Sequence, residues 1–280
     1  MEPLSRSKRT AYLSIFAFLF CAIVPVVLLY AGGYRFHLGE GFVQTGGLYL
    51  EVPYAGARVT VNGSFVGETN FLTRSYYIGD LTAGSHSVHV SKDGFLPWHR
   101  ALEVEPRLVT SAHVLLVPDD ALIEEVVLEG EEEDGEAGGR YRVSDELYAS
   151  IVDAFERTQP ISAGGTVDVE GNLALVLSDG DVTAHWLLAD APPPSYFCRS
   201  PSHCTRRIAL ESGPETSVNA AFWMGGALYL REDGGLMFTE IDARPTPVSA
   251  LLYRARGAEF RIVAGELFVK DNGRIVRVGF

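Results

Sequence analysis

The sequence predicts a mainly β protein behind one N-terminal transmembrane helix: first the helix, then a small β-sandwich, then a β-hairpin-repeat domain that is partially propeller-like. Three observations carry this reading. Ala11 to Ala31 contains no charged residue over 21 positions. From 46 to 118, short alternating runs are punctuated by Gly, Asn and Asp every roughly 8 to 12 residues, the spacing of an all-β domain. After Gly164, three similar hairpin segments recur. With 280 residues, 47% hydrophobic and only 21% charged, the chain can bury one or two cores and is not wholly disordered.

As a helix, residues 11–31 span about 31 Å, matching a bilayer core of roughly 30 Å. Arg6, Lys8 and Arg9 against Glu2 place the 1–10 tail in the cytoplasm and the remainder outside the membrane. The apolar run is longer than that of a cleaved signal peptide, and the bulky Leu29 stands two residues before Ala31, where cleavage needs a small one. The lipid bilayer is therefore the partner of residues 11–31, which act as an uncleaved anchor. Tyr30, Tyr34 and Phe36 fall at the outer interface, and 32–45 read as a stalk. The net charge is -13, and removing the tail's +2 leaves -15 outside. That sign excludes broad electrostatic capture of nucleic acid and disfavours anionic lipid surfaces.

Within 46–118, Leu48 to Val52 alternate, Val59 and Val61 lead into Asn62-Gly63, and Val88 and Val90 alternate with His86, His89 and Lys92. Asn-Gly between alternating runs is the strongest short hairpin signal. Gly84 and Gly94 also fall where turns are expected. Pro53, Gly56, Ala57, Val61-Asn62-Gly63, Gly67, Thr69, Leu81, Gly84, His86, Val88, Val90, Gly94-Phe95 and Trp98 together form an extended pattern. In these residues the stretch resembles the PEGA domain, a small extracytoplasmic module of bacterial envelope proteins. The chain departs from the family by one extra residue between Pro53 and Gly56 and by Asn70 where proline is usual. The resemblance implies that the motif residues specify a fold and an envelope location.

Trp98, Phe95, Tyr76 and Tyr77 could present a sugar platform, but aromatics in so small a module more often complete its core. His86, His89, His99 and His113 lack a metal-ligand spacing and are expected on strand surfaces.

Eight acidic residues and no basic one lie between Glu124 and Glu136, so 119–143 reads as an acidic linker. It carries no calcium-loop pattern. Ser144 to Arg157 predicts a helix capped by Ser144 with Leu147, Ile151 and Phe155 on one face. It opens the C-terminal domain, 144–280. The three repeated hairpins, 171–187, 226–241 and 265–280, turn at Asp179-Gly180, Asp233-Gly234 and Asn272-Gly273. Offsets of 54 and 39 residues are near a propeller-blade period, but about 120 residues cannot close a full propeller. The last strand is expected to be buried. Cys198 and Cys204 enclose RSPSH and are a candidate disulfide outside the membrane, whereas Cys21 lies in the apolar segment.

The chain has no G-x-S-x-G elbow or Walker loop, and Glu103, Glu105, Asp179 and Asp181 read as solvent-facing strand and turn residues. The expectation is a non-catalytic envelope protein without metal or cofactor. Its role would be binding or scaffolding through contact with cell-wall glycan or another envelope protein. The alternative is an accessory ectodomain subunit of a transmembrane sensing or transport assembly.

Overall fold

A computed structural model describes residues 6–37, 41–130, 139–157, 165–211 and 217–279. The first five residues of the basic tail, the centre of the stalk, most of the acidic run and Phe280 lie outside the described residues. Helix α1 (Arg6–Ala31) has its apolar side chains exposed along its length and is long and apolar enough to cross a membrane.

The next unit contains β1 (Tyr34–His37), β2 (Gly41–Glu51), β3 (Arg58–Val61), β4 (Ser64–Glu68), β5 (Ser75–Thr82), β6 (Gly84–Ser91), β7 (Trp98–Val104) and β8 (Val109–His113). One sheet has the order β1-β2-β5, with β8 running parallel to β2, and the other has the order β4-β3-β6-β7. A single core joins them, with Leu48 and Leu50 from the first sheet against Val59, Val88, Val90, Trp98 and Leu102 from the second.

The expected stalk is a correction: β1 and β2 pair antiparallel, and β2 continues without a break into the core. Its cause is local bonding. The Gly33 carbonyl accepts from the Thr45 backbone N–H (2.9 Å) and hydroxyl (3.1 Å). Arg35 caps the joint by donating to the Tyr30 carbonyl, stacking over the Tyr30 ring at 3.7 Å and pairing with Asp80 at 2.7 Å.

The acidic linker is a second correction. Residues Leu122–Leu128 form β9 and Arg140–Val143 form β10, paired in parallel, before α2 (Asp145–Glu156). LIEEVVL can extend because Glu124 is not left to repel its neighbours: it pairs with Arg277 at 2.8 Å from a strand 153 positions along. Counting charge along the chain cannot register that partner. Ser144 caps α2, accepting from the Leu147 N–H, and Ile151 and Phe155 are buried on its inner face.

There follow β11 (Gly165–Glu170), β12 (Leu173–Ser178), β13 (Asp181–Trp186), β14 (Cys198–Ser200), β15 (His203–Cys204) and β16 (Arg207–Glu211). The chain then forms β17 (Ser217–Trp223), β18 (Gly226–Arg231), β19 (Gly235–Glu240), β20 (Ser249–Arg254), β21 (Glu259–Val263), β22 (Glu266–Asp271) and β23 (Arg274–Gly279). Each repeated hairpin occupies its own sheet: β11-β12-β13-β16, β17-β18-β19-β20 and β10-β9-β23-β22-β21. The middle sheet is covered on both faces. Ala227 and Tyr229 pack toward the first sheet, while Leu228 and Leu230 pack toward the last. This explains the continuous apolar run of β18, since a strand buried on both faces has no polar side. β23 lies inside its sheet, between β22 and β9.

Asp179-Gly180 and Asn272-Gly273 turn with both residues left-handed, as a two-residue hairpin requires. Asp233-Gly234 differs. Only Gly234 is left-handed there, and the Asp233 carboxylate accepts from the Gly235 N–H at 3.0 Å, making a longer turn.

Gly46 marks the closest approach within the first unit, because a side-chain carbon there would collide with the backbone carbonyls of Glu105 and Leu108. Neither carbonyl can rotate away. Gly46→Ala should therefore lower stability by about 1–3 kcal/mol, read as a shifted urea midpoint of the full chain in phosphatidylcholine nanodiscs followed by tryptophan fluorescence.

Candidate functional site

Strand β7 reads WHRALEV, and its alternation turns Trp98, Arg100, Leu102 and Val104 inward. Arg100 thus occupies an apolar position and is buried with a charge. Strand β19 does the same with Leu236, Phe238 and Glu240. The two buried charges meet where the two β units join. Arg100 donates to Glu240 and to the Thr246 carbonyl, and the Trp98 indole N–H donates to the other Glu240 oxygen at 3.0 Å. Behind them, Arg244 grips Asp242 through Nε (2.7 and 3.0 Å) and Nη2 (2.6 Å), and donates to the Ser111 carbonyl at 3.0 Å. Arg100 Nε lies 4.0 Å from Asp242. Two arginines therefore balance two carboxylates, all four buried.

Burial pushes the Glu240 carboxyl up, opposed chiefly by the charge of Arg100. Burial likewise pushes Arg100 down, opposed by Glu240 and then Asp242. Both directions say that dehydration costs these groups more than their pairing returns. The cluster's contribution is then to fix one docking geometry, since any other leaves a buried charge unpaired.

Two clefts flank the junction. One, about 410 Å³, is lined by Glu51, His113, Glu170, Tyr196, Phe222 and Glu240. There His113 lies 3.4 Å from Glu51. The other, about 640 Å³, is lined by Arg199, His203, Arg207, Asp242, Arg244 and Pro247. Its rim is the hairpin β14–β15, closed by a disulfide between Cys198 and Cys204. Cys21 is free in α1. Ser202 in that hairpin reaches back to the first unit, donating to Glu105 from its hydroxyl (2.6 Å) and backbone N–H (3.2 Å). Among the described residues, no group of three or more His, Cys, Asp or Glu side chains is placed to hold a metal ion.

The motif residues of the first unit act on its backbone. Thr69 is buried, and its hydroxyl accepts from the Ala57 N–H at 2.8 Å and donates to the Tyr54 carbonyl at 2.5 Å, stitching the turn over Pro53 and Gly56. Asn62 and Gly63 turn with both residues left-handed. The Asn62 carboxamide accepts from the Ser87 N–H at 3.0 Å and bonds His86 Nδ1 at 2.8 Å. A side chain on Gly67 would strike Tyr76, and Gly84 and Gly94 have positive φ. Trp98 is fully buried.

Residues 45–120 match the PEGA domain. The match covers about a quarter of the chain. No curated protein matches the chain. Five solved chains match. One of them, solved as a candidate membrane-associated protein of unknown function from Bacteroides fragilis NCTC 9343, shares 13% identity over 84% of this chain and 94% of its own. Its TM-score of 0.22 is too low to support a shared fold.

The PEGA domain's departure at Asn70 has a local reason. The Asn70 carboxamide accepts from the Leu72 and Thr73 N–H groups, both at 2.8 Å, and so makes the turn that the family usually makes with proline. His86 is a correction to the expected surface histidines: it is buried, with Nε2 bonded to the Thr82 carbonyl at 2.8 Å as well as Nδ1 to Asn62. Of the four aromatics weighed as a sugar platform, Trp98 is in the core, Tyr76 and Phe95 pack against it, and Tyr77 is exposed. They do not form one surface. Glu105, read as solvent-facing, is the acceptor of the disulfide hairpin instead.

Sequence reasoning missed the junction. Arg100 and Glu240 were detectable as charges in phase with apolar positions on alternating strands, but 140 residues separate them and nothing local pairs them. Arg100→Met should cost about 3–5 kcal/mol by leaving Glu240 buried and unpaired. Adding Glu240→Gln, which keeps an acceptor for Trp98, should recover more than half of that loss in a double-mutant cycle of urea midpoints.

Hydrogen bonds from Ser200 and Ser202 lower the Glu105 carboxyl from its ordinary 4.5 to about 2. Its grip on the disulfide hairpin is therefore complete above about pH 4.5 and lost as the pH falls through 2. The urea-midpoint difference between wild type and Glu105→Gln should be present at pH 5 and close as the pH approaches 2.

Proposed function

We propose that the chain is a single-pass envelope protein with its N-terminus cytoplasmic, which holds its PEGA domain and hairpin-repeat unit outside the membrane as one non-catalytic binding or scaffolding body. The PEGA domain reads as a β-sandwich, and the three stacked hairpin sheets as a partial propeller-like array. The observation that carries this reading is the neutral four-charge junction, which locks the two β units into a single presenting surface. Membrane attachment is supported by α1, and Arg35 ties the helix directly to the first sheet. A tethered body gains effective concentration for anything within a few nanometres of the bilayer. Contact with cell-wall glycan or with another envelope protein uses that confinement equally well.

The test is co-sedimentation of the full chain in phosphatidylcholine nanodiscs with protein-stripped cell wall and with intact envelope vesicles. Retention on stripped wall is the expected result for direct glycan contact. Retention on vesicles alone identifies a protein partner and scaffolding. Retention on neither overturns the proposal.

A further inference from the structure

We propose that the 640 Å³ cleft beneath the disulfide hairpin binds an oxyanion, the carboxylate or phosphate group of a saccharide, between Arg199 and Arg207. This deepens the binding reading and rests on it. In a chain of net charge -13, unneutralised cations facing one cleft stand out. Of the three arginines there, Arg244 is neutralised by Asp242. Arg199 and Arg207 have no carboxylate partner among the described residues.

Arg207 is also positioned rather than free. Its Nε donates to His185 Nε2 at 3.2 Å, and its backbone N–H and carbonyl are both bonded by the Thr205 hydroxyl, at 3.2 and 3.0 Å. His185 sits partly buried and beside that positive charge, and both effects lower its pKa, so it orients the guanidinium without adding an anion to it. The two Nη groups remain for a bidentate contact, the geometry in which guanidinium recognises carboxylate and phosphate. Arg199 is carried by the hairpin that the Cys198–Cys204 disulfide closes, and Ser202 fastens that hairpin to Glu105. The Arg207 guanidinium and the backbone that carries Arg199 are thus fixed at the cleft before a ligand arrives, which reduces the ordering cost of binding.

Ile208, Pro245 and Pro247 also line the cleft. The volume falls within the 300–1,000 Å³ range of small-molecule sites. One sugar ring with its acidic group fits these dimensions.

The experiment titrates the full chain in phosphatidylcholine nanodiscs with glucuronate and with glucose 6-phosphate, using glucose as the uncharged control. The acids should bind, glucose should not, and added salt should weaken the binding. Arg199→Gln and Arg207→Gln should each weaken it roughly tenfold or more. Arg254→Gln, which removes the same charge outside the cleft, should leave it unchanged. Matching urea midpoints would establish that the variants remain folded. No binding of either acid, or equal binding by the Arg199→Gln/Arg207→Gln double variant, overturns the proposal. So does binding to phosphatidylglycerol vesicles with no response to the soluble acids, which marks a lipid-headgroup site. If the double variant still sediments with stripped cell wall, the cleft assignment fails while the broader binding reading stands.

Discussion

A buried set of two arginines and two carboxylates decides how this protein is put together. Arg100 enters from the PEGA domain, Glu240 from the end of β19 and Asp242 and Arg244 from the segment that follows it, and each needs the others because water cannot reach them. Such a cluster is poor glue, since dehydrating buried charges costs at least what their attraction supplies. It is effective as a gauge. A slip of one residue in β7 would turn both Arg100 and Trp98 to the surface and leave Glu240 buried without either partner, so register and docking are selected together. Apolar packing surrounds this gauge, with Val248 of the repeat unit seated against the PEGA core and Leu96 and Leu115 against the core of the neighbouring sheets.

The same constraint runs outward from helix α1. Helix α1 passes through a two-residue turn into β1, and Arg35 joins the helix end to Asp80 on β5, so the first sheet starts at the end of the helix. The PEGA domain then transmits that placement through the junction to the repeat unit. Function in such a body depends on which faces it presents and at what height, and here both follow from hydrogen bonds and ion pairs rather than from tether length.

The disulfide hairpin gives the assembly a second, smaller joint. It bridges the units on the surface through Ser202 and Glu105 while the ionic cluster bridges them in the interior. Between these two contacts lies the cleft that carries Arg199 and Arg207. A single interdomain contact would leave the cleft's width free to vary. Two contacts of different chemistry, one buried and one exposed, hold it.

Local patterns in the chain were enough for several features. The uncharged 21-residue run, the reversals at Asn62-Gly63, Asp179-Gly180 and Asn272-Gly273, the capped helix at Ser144 and the positions of the three hairpins each rest on interactions within a few residues, so sequence alone determined them. Tertiary structure decided the rest for one physical reason: the groups involved find their partners far along the chain. Glu124 became part of a strand because Arg277 neutralises it, and the expected stalk became the paired strands β1 and β2 because Thr45 returns to Gly33. Arg100 could be recognised as a charge at a buried position, but what makes that position tolerable is Glu240, and only folding brings the two together.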